Sequence, residues 1–177
     1  MPRLTHKSAA AFTLMELMTV IVIIGILASM ILALVSGLRD RADQAACVTN
    51  LKSLYAAAAA YVQQNGQWPQ ISTATLETHG DTQYPTAWIN ALAPFGLAQK
   101  NWICPSVQRA LQNPDLTQQT NIRVDYFATP FDPRPGTPYL WPHQPWFVER
   151  GPMHTGGNLI IWSNGQIVTL TEAMQYQ

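Results

Sequence analysis

"KSAAAFTLMELMTVIVIIGILASMILALVSGL", residues 7–38, decides the architecture. From Leu17 to Leu38 the chain has no Asp, Glu, Lys, Arg, His, Asn, Gln or Pro. At about 1.5 Å per residue this run makes a helix of roughly 33 Å, enough to cross a hydrocarbon core of about 30 Å. The competing explanation is a helix buried in a soluble core, but an apolar run beyond about 18 residues argues for a membrane. One acid, Glu16, stands at the edge of the run. A carboxylate at membrane depth costs a few kcal/mol (order of magnitude) unless it is paired. Its presence therefore asks for a cation.

The segment before the run is basic, with Arg3 and Lys7, as in a secretory signal. The apolar stretch is too long for one, since signal cores run about 7–15 residues. The small residues Ala9, Ala10 and Ala11 also precede the apolar run, whereas a secretory cleavage site follows it. A cut after Ala11 would leave the hydrophobic helix on the mature chain.

Ala11 followed by Phe12-Thr13-Leu14-Met15-Glu16 and an apolar helix resembles the N-terminus of type IV prepilins and type II secretion pseudopilins. The resemblance implies that a prepilin peptidase cuts between Ala11 and Phe12 and methylates the new amine of Phe12. The family usually has Gly before the cut, and Ala11 stands in its place. The resemblance also implies that Glu16 meets the N-terminal amine of a neighbouring subunit, so that a buried acid sets register in a filament. The alternative is that Glu16 snorkels to the headgroups and pairs with nothing. The flanking charges do not set orientation, because Arg39, Arg41 and Lys52 balance Arg3 and Lys7. The resemblance implies a single span of the inner membrane, with a cytoplasmic N-terminus and a periplasmic head.

The remaining composition suits a modest extracytoplasmic domain. The chain has 177 residues, 11% charged, with a formal net charge of zero. That predicts one domain with appendages, and it lacks the basic excess of a nucleic-acid binder. Residues 39–65 contain no Pro or Gly, so the helix is expected to continue to the stop signal Asn65-Gly66. Cys47, Leu51, Leu54, Ala58 and Tyr61 recur at helical spacing. The alanine run 56–60 flattens that face for close approach of a sheet. Ala87–Ala93 reads as one or two helical turns, and Ile122–Thr129 as a strand. Residues 130–152, rich in proline, read as an extended loop. "GNLIIWSNGQIVTL" gives two strand-like runs around Asn164-Gly165, a strong hairpin signal. The expected fold is α+β and pilin-like, with a long N-terminal helix on a small antiparallel sheet. The expected divisions are a leader at 1–11, a membrane or filament-core helix at 12–38, the periplasmic half of the helix at 39–66, and a globular head at 67–177.

The C-terminal half resembles a group of prepilin-like proteins that carry a His, nine residues and then Asp-Gly. Here His154, nine residues and Asn164-Gly165 occupy that pattern, with Asn in place of Asp. The same group has a Cys before Asn-Leu-Lys, an Asn-Gly-x-x-Pro and a later Cys-Pro. This chain has Cys47 before Asn50-Leu51-Lys52, Asn65-Gly66 before Pro69, and Cys104-Pro105.

If the head lies outside the cytoplasm, Cys47 and Cys104 are in a compartment where disulfides persist. Trp102-Ile103 should draw Cys104 toward the core that the Cys47 helix face covers, so the two are expected to be bonded. Two buried free thiols are the alternative. No metal site is assigned, because the cysteines lack close CxxC spacing and the histidines are scattered. Nor is a cofactor.

No GxSxG, HExxH or P-loop occurs, and no catalytic residue is assigned. His154 is read as a structural residue at the entry to the hairpin rather than a base. Asn164 favours turn chemistry over ion binding. Tyr139, Trp141 and Trp146 form either a satellite core or a surface for sugar or a partner. The expected function is that of a structural subunit, not an enzyme, in a pseudopilus or a type IV pilus-like filament. Its expected partners are prepilin peptidase, other copies or homologous pilins, an inner-membrane assembly platform and the membrane itself, with no nucleic acid. The alternative is a membrane-anchored binding or enzymatic head that carries a pilin-type leader.

Overall fold

The structure is a computed structural model that describes residues 13–74, 82–111, 122–154 and 156–176, with backbone only for 32–36. The chain divides into two compact units, 1–40 and 41–177. Helix α1 covers Leu14–Asn65, 52 residues, and contributes to both.

In the first unit, α1 is apolar all round rather than on one stripe. Leu17, Ile21, Ile24 and Leu27 are all more than half exposed. A helix with no polar face has no water-compatible side. Leu14–Ile31 is the one helical segment among the described residues long and apolar enough to cross a membrane.

In the second unit α1 becomes amphipathic. Cys47, Leu51, Leu54 and Ala58 are fully buried, and the buried stripe then runs on through Val62, leaving Tyr61 half-exposed. The helix ends at Asn65. Gly66 follows at φ +74°, and its N–H reaches Val62 O at 2.8 Å. A left-handed residue just past the last turn is the usual way to satisfy such a carbonyl, and glycine adopts it without strain.

Four antiparallel strands lie against this stripe in sequence order: β1 Tyr126–Ala128, β2 Pro145–Glu149, β3 Leu159–Trp162 and β4 Ile167–Thr169. Alternation assigns their faces. Phe147, Leu159 and Ile161 join the helix-side core. Ile160, Trp162 and Val168 form a second small cluster, against which Ala173 of the C-terminal helix α4 (Leu170–Ala173) packs. Both faces of β3 are thus covered, which explains the unbroken run Leu-Ile-Ile-Trp. Helices α2 (Gln83–Leu92) and α3 (Pro105–Ala110) complete the head. Helix α2 begins earlier than the expected 87–93, and β1 is shorter than the expected 122–129.

The proline-rich stretch 130–152 is not simply an extended loop, because β2 lies inside it and pairs with both β1 and β3. Prolines punctuate that strand without interrupting it. Pro145 is its first residue, and the register shifts between Pro145 and Phe147, the positions at which a sheet tolerates a missing donor. Trp146 is fully buried in the main core and donates from Nε1 to Pro138 O at 2.7 Å, whereas Trp141 is exposed. The expected aromatic trio is therefore split. At the centre, Trp68 meets Phe131 at 5.0 Å and Trp146 at 4.9 Å, ring centre to ring centre and both edge-on, an arrangement that suits the ring quadrupoles.

Candidate functional site

Two places carry the residues that the sequence singles out. The first is the start of α1. Thr13 N–H donates to Glu16 Oε2 at 3.1 Å, and Glu16 N–H donates to Thr13 Oγ1 at 3.2 Å. This reciprocal pair is a capping box, Thr-x-x-Glu, which satisfies two otherwise orphaned helix donors. Glu16 thus has a local role that the sequence reading missed, although the Thr13/Glu16 spacing carries the signal. Ala11 and Phe12 lie outside the described residues.

The second place is where α1 meets the head. Cys47 and Cys104 are joined in a disulfide, with their Cα atoms 5.3 Å apart and neither residue exposed. The chain at Cys104 is held on both sides. Asn50 Nδ2 donates to Ile103 O at 2.9 Å, and Cys104 N–H donates to Asp125 Oδ2 at 2.9 Å. Asp125 is fully buried and accepts from Arg123 Nε at 2.6 Å. Burial pushes its carboxyl above the ordinary value, and the Arg123 charge opposes that shift.

Beside the disulfide sits a buried acid–imidazole pair. The alternation that aims Phe147 at the helix aims Glu149 the same way, two residues on. His154 Nε2 lies 3.0 Å from Glu149 Oε1, a distance at which an imidazole N–H donates to a carboxylate, and 3.8 Å from Cys104 Sγ. The other Glu149 oxygen accepts from Leu159 N–H at 3.2 Å. Burial pushes the Glu149 carboxyl upward, and His154 opposes the shift. The ligand-type atoms of Cys47, Cys104, Glu149 and His154 all lie within 4.8 Å of one another.

The hairpin closes as turn chemistry. Gly165, at φ +79°, donates to Trp162 O at 2.9 Å, and Trp162 N–H donates to Gln166 O at 2.9 Å. Asn164 Oδ1 accepts from Gln166 N–H at 2.9 Å. The result is a three-residue loop with glycine in the left-handed position, not a two-residue turn. Asn164 serves this loop, and the carboxylate partner of His154 is Glu149.

Among known families, the prokaryotic N-terminal methylation motif matches residues 6–32. The chain carries a prepilin-type N-terminus. Three curated proteins are similar to it, each named type II secretion system core protein G. That of Klebsiella michiganensis is 39% identical over 64 residues, 36% of this chain and 45% of the relative. That of Aeromonas hydrophila is 40% identical over 63 residues, 36% of this chain and 44% of the relative. That of Pectobacterium carotovorum subsp. carotovorum is 40% identical over 58 residues, 33% of this chain and 37% of the relative. The chain thus spans less than half the length of the relatives it matches. No solved structure matches it.

Behind the prepilin-type start, sequence reading missed Glu149 and Asp125 as buried groups. For Glu149 the available signal was its place two residues after Phe147, muted because the proline-rich stretch around it reads as a loop.

Proposed function

We propose that this chain is a structural filament subunit, belonging to a type II secretion pseudopilus or a type IV pilus-like filament. The observation that carries the reading is the division of labour along α1. Its first segment, Leu14–Ile31, is apolar and bare, and its later residues, from Cys47 to Val62, form one wall of a head. A bare apolar helix needs lipid or copies of itself, and a filament core of packed helices supplies the second. The methylation motif and the relatives' names support the same reading.

On this reading residues 1–11 are a leader, 12–38 the membrane and filament-core helix, 39–66 its periplasmic continuation and 67–177 the head. Prepilin peptidase cuts between Ala11 and Phe12 and methylates Phe12. The chain waits in the inner membrane, N-terminus cytoplasmic and head periplasmic, until an assembly platform extracts it. Glu16 then pairs with the Phe12 amine of a neighbouring copy. His154, Asn164 and Gly165 are the C-terminal motif of the prepilin-like subgroup, and no role in catalysis is assigned to them.

The test is the intact mass of the protein extracted from membranes of cells with active prepilin peptidase. A chain beginning at Phe12 with one added methyl is expected, and one beginning at Met1 overturns the leader. Filaments sheared from the same cells should contain the chain. A processed chain confined to the membrane fraction would instead favour the anchored head.

A further inference from the structure

The disulfide and the buried acid–imidazole pair occupy one site that brings together four residues of the types that bind zinc. We propose that, when the Cys47–Cys104 bond is reduced, Cys47 Sγ, Cys104 Sγ, His154 Nε2 and a Glu149 carboxylate oxygen bind one zinc(II) ion, or a similar thiophilic divalent cation. This inference does not depend on the filament reading.

Four observations carry it. The four ligand-type atoms already lie within 4.8 Å of one another. A tetrahedral ion with metal–sulfur bonds of about 2.3 Å and metal–nitrogen and metal–oxygen bonds of about 2.0–2.2 Å holds its ligand atoms roughly 3.3–3.8 Å apart. His154 Nε2 is 3.8 Å from Cys104 Sγ and 3.0 Å from Glu149 Oε1, so these two pairs are already close to that range, while the two sulfurs must separate once their bond is reduced. All four side chains are buried, the His154 side chain being 3% exposed, and four protein ligands would leave no open position on a tetrahedral ion. Finally, the ligands come from α1, the residue before α3, the end of β2 and the loop before β3. An ion there would tie the same elements that the disulfide ties. Close sequence spacing could not reveal the set, because its members stand at 47, 104, 149 and 154.

The chemistry balances with a dithiol as reductant. Thiol–disulfide exchange transfers two electrons and two protons, giving two cysteine thiols and the oxidised reductant. Zinc then displaces one proton from each thiol. Binding requires the proton on His154 Nε2 to move to Nδ1, so that the neutral imidazole offers its Nε2 lone pair and gives up its bond to Glu149. Glu149 retains Leu159 N–H on its other oxygen. Thiol redox state thus selects between two staples for one joint.

The experiment uses the full chain in detergent micelles. It is reduced with dithiothreitol, desalted without oxygen and titrated with cobalt(II) as the spectroscopic probe. One cobalt per chain is expected, with the intense visible bands of a tetrahedral ion and a thiolate-to-cobalt charge-transfer band, both bleached by equimolar zinc. The oxidised chain should give neither. His154→Asn should weaken cobalt binding by more than the roughly 10–100-fold that loss of an outer partner costs. Three results overturn the proposal: no tetrahedral spectrum in the reduced chain, the same spectrum in the oxidised chain, or unchanged affinity in His154→Asn. Tryptophan fluorescence tracks folding throughout. A reduced chain that unfolds and does not refold on adding cobalt also counts against it.

Discussion

Removing the Cys47–Cys104 link gives the most direct test of how the head is held to its helix. The double substitution Cys47→Ala/Cys104→Ala avoids leaving a buried hydroxyl, which serine would introduce at fully buried positions. The bridged residues are 57 apart in sequence. The chain-entropy relation for a loop of that length gives about 14 cal/mol/K, hence roughly 4 kcal/mol at 25 °C. Loss of two buried sulfurs adds some packing cost, while residual structure in the denatured chain subtracts from the entropy gain. A destabilisation of about 3–5 kcal/mol is expected. Urea denaturation in micelles with a chelator present measures it. All six tryptophans fall between Trp68 and Trp162, so their fluorescence reports the head without the apolar helix. A fall in midpoint at constant slope is a loss of stability. A change below about 1 kcal/mol would refute the loop-entropy reasoning.

Three further substitutions probe other joints. Glu16→Gln keeps the Thr-x-x-Gln capping box but removes the charge, so it should insert and be cut normally yet lose filament incorporation. Assembly equal to the parent's at limiting expression would end the charge-pairing idea. Gly165→Ala forces a side chain into φ +79°, with its Cβ 3.2 Å from the Tyr55 ring, and should cost about 1–2 kcal/mol from the backbone alone in the same denaturation assay. An unchanged midpoint would mean that the hairpin relaxes freely. Glu172 accepts from Thr169 N–H, which holds its carboxyl below the ordinary 4.5. Its contribution is therefore present above that pH and is lost as pH falls through the lower folded value. The protection of the Thr169 amide against exchange, relative to its intrinsic rate at each pH, should fall across that acid window, and Glu172→Gln should abolish the dependence.

How far the fold was legible depended on the range of the signal. The apolar run, the Asn65-Gly66 stop and the Asn164-Gly165 loop act within a few residues, and each lies where the sequence puts it. Strand β2 was hidden because proline density argues for a loop. The register shift after Pro145 that lets proline lead a central strand depends on partners far along the chain. Trp141 and Trp146 look alike in sequence, yet one is exposed and the other sits against Trp68. The site was legible only in pieces. Cys47, Cys104 and His154 stood out by residue type, but Glu149 is an acid in a strand, and only the pairing of β2 with β1 and β3 turns it inward beside them.

The position of the disulfide along α1 has its own logic. Within the head's unit, Cys47 is the first residue of the helix to be fully buried; the residues before it are exposed or half-buried. Separation of a helix from its support begins where contacts begin, because terminal contacts open at the least free energy. The other ties are a partly exposed ion pair ahead of Cys47, Asp43 with Arg109 of α3, and single hydrogen bonds beyond it, Asn50 to Ile103 O at 2.9 Å and Tyr55 to Ser163 O at 3.0 Å, each contributing about 1 kcal/mol or less. None of these would stop a helix from peeling back if the contacts at its entry opened first. A covalent bond at that entry forces any separation to start from the far end or to disrupt the whole aromatic core at once. Elsewhere along the stripe the same bond would close a loop of similar length but leave the entry to the partly exposed Asp43–Arg109 pair, which resists opening little. Placing it at Cys47 turns a gain in denatured-state entropy into a barrier against local detachment. It also explains why an alternative staple of two thiolates, an imidazole and a carboxylate has its use at that joint and not deeper in the core.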